Sequence, residues 1–187
     1  MTINICTTNR NKLREVERIL GQPLVPVAID LDEIQTLDTE EVCRKKGAAA
    51  YEKLGQPVLV DDTGFALSAL DGFPGALVTW VIGAGTTRLL HRLLPAGAND
   101  QATVITAIAY VSANGVETFA GRLEGHVIAE PRGINGFGFD EVFVPTGHDR
   151  TLAEMSDAEK DAISPRAEAL SALAVFLSLN PGPVVGQ

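Results

Sequence analysis

Short apolar runs alternate along the chain with polar, glycine-punctuated turns, and the periods of those runs divide it into strands and helices. Ile3 to Cys6 predicts a short buried strand, followed by the polar loop Thr7-Thr8-Asn9-Arg10. From Asn11 to Leu20 the residues Leu13, Val16 and Leu20 share one helical face, and Gly21 and Pro23 end the segment. Thr39 to Leu54 predicts a second helix, with Asp38 as N-cap and Glu41 placed close to a capping box. Pro57 to Val60 reads as a buried strand ending in Asp61-Asp62-Thr63-Gly64. Asp71 to Gly75 reads as a turn, and Thr86 to Leu94 as a short helix.

In the second half, Thr103 to Val111 and Val116 to Leu123 flank Asn114-Gly115, a hairpin signal. Val127 to Ala129 and Val142 to Val144 predict further strands, separated by a loop rich in glycine and aromatics, Gly133 to Asp140. Ser156 with Glu159 forms one helix start. Ser164-Pro165 forms another, with Ser at the N-cap and Pro at the first helical position. Leu170, Leu173 and Leu177 then give an apolar stripe. There is no internal repeat and no long linker. The expectation is an α/β chain with parallel and antiparallel strands, a single domain over 1–187, and a disordered tail over 180–187.

Composition supports a packed core: 45% of the 187 residues are hydrophobic, and a globule of this size buries roughly 70% of the surface its unfolded chain exposes. No apolar run approaches the ~20 residues of a membrane span. Met1 to Cys6 is too short and polar for a signal peptide. Cys6 and Cys43 lie far apart without C-x-x-C pairing, which suits a reducing compartment. The expectation is a cytoplasmic protein with no membrane partner. A net charge of −9 argues against a nucleic-acid partner, which needs a basic face. It leaves room for a phosphorylated small molecule, which needs only a local positive pocket.

Several segments carry candidate chemistry, each with a plainer alternative. The Thr7–Arg10 loop opens a helix, where free N–H groups and the dipole attract anions and Lys12 can reach a phosphate; it can equally be an ordinary connection. Alternation along a strand sends Asp61 and Asp62 to opposite faces, so one of them enters a cleft. A carboxylate there suits Mg²⁺, although a solvated turn has the same composition. Glu33 lies in the acidic cluster Asp30-Leu31-Asp32-Glu33, and Lys45-Lys46 lie on a helix whose wet face they can simply occupy. In Gly136-Phe137-Gly138-Phe139-Asp140 the glycines admit close approach and the aromatics can stack on a base, or the segment is a turn over core phenylalanines. Lys160 and Arg166 sit near helix starts. His91, His126 and His148 have no metal-ligand spacing, Trp80 reads as packing, and neither cysteine has the setting of a nucleophile.

Together the blocks T-T-N-R-N-K-L-R-E, P-V-L-V-D-D-T-G, A-L-D-G-F-P-G-A, E-P-R-G-I-N-G-F-G-F-D and A-E-M-S-D-A-E-K-D-A-I-S-P-R resemble, in order and spacing, the inosine/xanthosine triphosphate pyrophosphatase family. The resemblance runs from Thr7 to about Leu173. It implies an elongated, two-lobed α/β fold, a mixed twisted sheet flanked by helices around a central cleft, and usually a homodimer. It implies hydrolysis of a nucleoside triphosphate to the monophosphate and pyrophosphate with Mg²⁺. By resemblance Thr7, Thr8, Asn9 and Lys12 hold the triphosphate and Lys46 adds a phosphate contact. Asp62 is the catalytic carboxylate and a metal ligand, Glu33 is a second metal ligand, and Thr63 follows the aspartate into the site. Phe137, Gly138, Phe139 and Asp140 pack on the nucleoside, and Lys160 and Arg166 are C-terminal substrate contacts.

The sequence departs from the family pattern at three places. Thr8 stands for the usual Gly, Thr79 for a frequent Lys, and Pro165 for the His of S-H-R that helps read the 6-keto group. Proline offers neither a side-chain donor nor a backbone N–H. Three functions are therefore weighed: pyrophosphate release from inosine or xanthosine triphosphates; the same chemistry on a pyrimidine or modified nucleotide; and nucleotide binding without turnover, disfavoured by the retention of Lys12, Glu33, Lys46 and Asp62.

Overall fold

The computed structural model describes residues 3–83 and 86–180. Of the tail expected to be disordered over 180–187, only Asn180 lies within the described residues, where it ends the last helix.

The apolar run Val58-Leu59-Val60 continues through the aspartates to Phe65 and Leu67 as one long strand, Val58–Leu67 (β3). Its first three residues pair in parallel with Asn4–Cys6 (β1), which pairs in parallel with Val25–Val27 (β2). Its other edge pairs antiparallel over its full length with Gln101–Ser112 (β5). Gly115–Val127 (β6) follows β5 as a hairpin, and Phe143–Pro145 (β7) closes that side. Pro74–Gly75 (β4) pairs with Phe65 and Ala66 of β3. The sheet order is β2-β1-β3-β5-β6-β7, with β4 beside β3.

Because β5 occupies one edge of β3 throughout, β1 and β4 share the other. β1 reaches only to Val60 and β4 begins at Phe65. Asp61, Asp62, Thr63 and Gly64 therefore lie at a gap in that edge. Ligands of open α/β sheets bind at such breaks in strand order.

Helices cover both faces. Arg10–Leu20 (α1) and Pro165–Leu179 (α6) pack on the face carrying Ile5, Leu59 and Ile108. Thr39–Leu54 (α2) packs on the face carrying Val58, Val60, Ala107 and Ala109. The α2 span coincides with its sequence expectation, and Asp38 caps it by accepting from the N–H groups of Glu40 and Glu41. Beyond the gap a third core gathers Phe65, Leu67, Val104, Phe139 and Phe143 under Val78–Gly83 (α3) and Arg88–Arg92 (α4). Asp157–Ile163 (α5) leads into α6. No single helix among the described residues is long and apolar enough to cross a membrane.

Several boundaries differ from the sequence reading. β3 does not stop at the aspartates, because pairing with β5 carries it to Leu67. Val127 is the end of β6 rather than the start of a separate strand, since β6 stays paired as far as Gln101 opposite His126. The strand expected at 142–144 begins one residue later, after a 3-10 turn over Asp140–Val142. Ser112 pairs with Gly115, so the hairpin turn is Ala113-Asn114, and Gly115 follows at φ 123°. The helix expected from Thr86 contracts to α4, and α3 has no counterpart in the sequence reading. Trp80, read as packing, is 73% exposed on α3.

Candidate active site

The gap in the β3 edge sorts its two aspartates. Asp61 shares the face of Leu59 and turns to α1 and α6; Asp62 shares the face of Val60 and turns to α2. The alternation rule therefore separates two adjacent carboxylates into two different environments.

Asp61 has no exposed side-chain surface. It accepts Lys12 Nζ at 2.7 Å and Arg166 Nε at 2.7 Å. Lys12 Nζ also donates to the Asp61 carbonyl at 3.3 Å. Burial alone would raise the carboxyl pKa, but Arg166 and Lys12 outweigh it and hold Asp61 well below the usual carboxylate range. Arg166 in turn donates to Glu15 through Nη1 and to Thr63 Oγ1 at 3.1 Å. Glu15 accepts Lys160 Nζ at 3.3 Å, and Lys160 donates to Asp140 Oδ2 at 2.6 Å. Lys12, Asp61, Arg166, Glu15, Lys160 and Asp140 thus form a chain of alternating charge that ties α1, β3, α5, α6 and the Phe137 loop together. Breaking a buried pair of this kind is costly because it strands an uncompensated charge.

Asp62 has a different setting. Lys46 Nζ lies 3.7 Å from its Oδ1 and is also paired with Glu33. Burial raises the Asp62 pKa against the opposing pull of Lys12 and Lys46. Burial would lower that of Lys46, but Asp62 and Glu33 hold it up, so the ammonium persists. Among the described residues no hydrogen bond locks this carboxylate as Asp61 is locked.

These residues line two connected spaces. An outer cleft is bounded by Thr7, Thr8, Asn9, Lys12, Glu33, Lys46, Asp61 and Asp62, with Trp80 at its wall. The chain turns into α1 there because Asn9 caps it, its Oδ1 accepting from the N–H groups of Asn11 and Lys12. Thr7 Oγ1 accepts from the Asn9 N–H. An inner cavity is walled by Val78, Ile82, Val104, Leu123 and Leu152, with Phe137 and Gly138 on its loop side and Pro165 and Arg166 at the start of α6. Lys12 and Thr79 line both spaces.

The glycine loop divides its residues. Phe137 faces the inner cavity with Lys160 Nζ 5.5 Å from its ring centroid. Phe139 packs on Phe65 at 4.9 Å between centroids. Asp140 accepts through Oδ2 from the Phe137 N–H at 3.0 Å as well as from Lys160, so that oxygen is turned inward to the loop. Gly136, at φ 82°, is required there: a Cβ would lie 2.1 Å from Asp140 Oδ2. The two helix starts read from sequence are in place, Ser156 with Glu159 as a capping box and Ser164 capping α6.

The sequence residues thus gather around the gap. Those missed are Asp61 and Glu15, as anchors of the cations, and Thr106, whose hydroxyl lies 3.4 Å from that of Thr63. Alternation already separated Asp61 from Asp62, but nothing local marks Glu15 as buried. Among the described residues no three His, Cys, Asp or Glu side chains gather as a metal cage. Glu33 and Asp62 remain as two carboxylates on the cleft. That donor set suits a hard divalent ion that takes one or two protein carboxylates and completes its shell with phosphate and water.

The chain is similar to known proteins over nearly its whole length. Residues 3–176 match the model of the Ham1 family. The chain is 37% identical over 178 residues to a dITP/XTP pyrophosphatase of Hyperthermus butylicus, covering 94% of each. It is 41% identical over 182 residues to inosine triphosphate pyrophosphatase 2 of Trypanosoma cruzi, covering 95% of this chain and 92% of the relative. A HAM1 protein from Coxiella burnetii superposes with a TM-score of 0.82 at 30% identity, over 96% of this chain and all of that one.

Proposed function

The chain belongs to the Ham1 family, and from that premise we propose that it is a nucleoside triphosphate pyrophosphatase that hydrolyses inosine, deoxyinosine and xanthosine triphosphates to the monophosphate and pyrophosphate. Relatives across the full length carry the names dITP/XTP pyrophosphatase and inosine triphosphate pyrophosphatase. The single observation that carries the reading is the pair of spaces meeting at the β3 gap. One is ringed by lysines, carboxylates and a helix N-terminus; the other is mostly apolar, with Phe137 and Phe139 in its lining and Thr63, Thr106 and Arg166 among its polar groups. That division fits a triphosphate joined to a purine. The whole chain acts as one domain, with the base held between its two lobes.

In this reading the triphosphate lies in the outer cleft against Thr7, Thr8, Asn9, Lys12 and Lys46. Lys12 keeps one ammonium hydrogen free after its two bonds to Asp61. Glu33 and Asp62 hold the divalent ion, taken to be Mg²⁺, which when bound offsets charge on the phosphate oxygens. Asp62 orients a water toward the α-phosphorus and accepts its proton as the bond to the pyrophosphate leaving group breaks. Lys12 and Lys46 neutralise charge growing on the phosphate oxygens. Thr63 and Arg166 stand at the junction of the two spaces. Phe137 and Gly138 cover the nucleoside, while Phe139, Asp140 and Lys160 hold their loop in place. The protein works as a homodimer in the cytoplasm.

The test is pyrophosphate release from a panel of triphosphates with Mg²⁺. Inosine and xanthosine triphosphates should lead adenosine, guanosine and pyrimidine triphosphates by at least an order of magnitude. A pyrimidine in the lead would move the substrate to another base class, as the proline at 165 allows. Binding without release from any triphosphate would remove the enzyme reading.

A further inference from the structure

The hydrogen-bond inventory at the floor of the inner cavity leaves one hydrogen over. Thr63 and Thr106 are register partners on β3 and β5, and Gly121 of β6 completes the row. The first turn of α6 lies over this row, close enough that a Cβ on Gly121 would sit 2.1 Å from the Pro165 carbonyl oxygen. From α6, Arg166 donates to Thr63 Oγ1 at 3.1 Å. That oxygen lies 3.4 Å from Thr106 Oγ1.

Two hydroxyls carry two hydrogens, and their mutual contact uses at most one. Among the described residues neither hydroxyl has a further acceptor. Thr106 is only 1% exposed, so bulk water reaches the pair only at the half-buried Thr63. A buried donor left without an acceptor is costly, and native structures rarely tolerate it without a role. Both threonines line the inner cavity. Arg166 donates into Thr63, and the contact between the two hydroxyls can run either way; run from Thr63 to Thr106, it leaves the spare hydrogen on Thr106. The neighbouring ionic groups are spent on one another: Asp140 on Lys160, Glu15 on Arg166 and Lys160, Asp61 on Arg166 and Lys12.

We propose that the Thr63–Thr106 hydroxyl pair is a specificity element, in which Thr106 donates its hydrogen to a carbonyl oxygen on the bound base. An exocyclic amine offers no acceptor at that place and leaves the spare hydroxyl hydrogen unmatched. The pair therefore favours an oxopurine over an aminopurine. The inference rests on the placement of the base in the inner cavity.

The experiment compares kcat/KM for inosine and adenosine triphosphates in the wild type, Thr106→Val and Thr106→Ser. Valine keeps the shape and removes the hydroxyl; serine keeps the hydroxyl. Loss of one such bond should lower the inosine-to-adenosine ratio by about tenfold in Thr106→Val. Thr106→Ser should recover most of the loss. An unchanged ratio in Thr106→Val, or an equal fall on both substrates, overturns the proposal. If Thr106→Val melts far below wild type, the ratio in Thr106→Ala decides in its place. Wild type that releases pyrophosphate equally from inosine triphosphate and inorganic tripolyphosphate would instead overturn the placement of the base.

Discussion

Exchanging each of the two adjacent aspartates for asparagine should give opposite phenotypes. Asp61 has no exposed side-chain surface and compensates Lys12 and Arg166 at 2.7 Å each. In Asp61→Asn the shape is kept but the charge is lost, and among the described residues Arg166 retains only Glu15 as an ionic partner. Breaking a buried pair costs about 3–5 kcal/mol. For a chain of this length about 2–4 °C of Tm accompanies each kcal/mol, so the midpoint should fall by about 6–20 °C. Asp62 is different, since Lys46 keeps Glu33 as its partner when Asp62 is neutralised. Burial already disfavours the Asp62 charge, so Asp62→Asn should melt within about 3 °C of wild type while losing turnover. Thermal melts followed by circular dichroism, paired with pyrophosphate release, separate the two effects. An Asp61→Asn midpoint within ~2 °C of wild type, or an Asp62→Asn midpoint that falls as far as that of Asp61→Asn, would refute the division into anchor and reacting carboxylate.

Three further outcomes are expected. Gly121→Ala places a Cβ 2.1 Å from the Pro165 carbonyl oxygen and 2.8 Å from Glu168 Cβ. It should cost about 1–3 kcal/mol in a denaturant titration and raise KM, because Arg166 moves with the start of α6. Pro165→His restores a donor beside the inner cavity. It should raise the preference for inosine over adenosine triphosphate by about fivefold or more, read as the ratio of kcat/KM. Hydrogen bonds from Arg150 and Ser156 push the Glu159 carboxyl down to about 2 from 4.5. A depressed carboxyl contributes stability above its unfolded pKa and loses it as pH falls toward the folded value. The melting point of wild type should therefore fall faster than that of Glu159→Gln as pH drops from 4.5 to 2.

The parts of the fold legible in the sequence are those set by local chemistry. Asp38 before Thr39, Ser156 with Glu159, and Ser164 before Pro165 each satisfy orphan N–H groups within one turn, so a few residues define the helix start. The period of two separated Asp61 from Asp62. What escaped depends on partners distant in the chain. β3 runs past its aspartates because β5 pairs with it from some forty residues away. α3 is too short to show a period, which left Trp80 read as packing. The burial of Lys160 and Arg166 requires Glu15, about 145 and 151 residues earlier. The site is half legible for the same reason: Lys12, Glu33, Lys46 and Asp62 stand out as charges, whereas Glu15 and Thr106 gain meaning only from what the fold lays against them.

The most direct test follows oxygen from solvent. Inosine triphosphate turned over with Mg²⁺ in ¹⁸O-enriched water should give inosine monophosphate and pyrophosphate in equal amounts. Mass spectrometry should find the label in the monophosphate alone, since water attacks the α-phosphorus beside Asp62. Inosine diphosphate with inorganic phosphate as products, or label in the pyrophosphate, would contradict attack at that position.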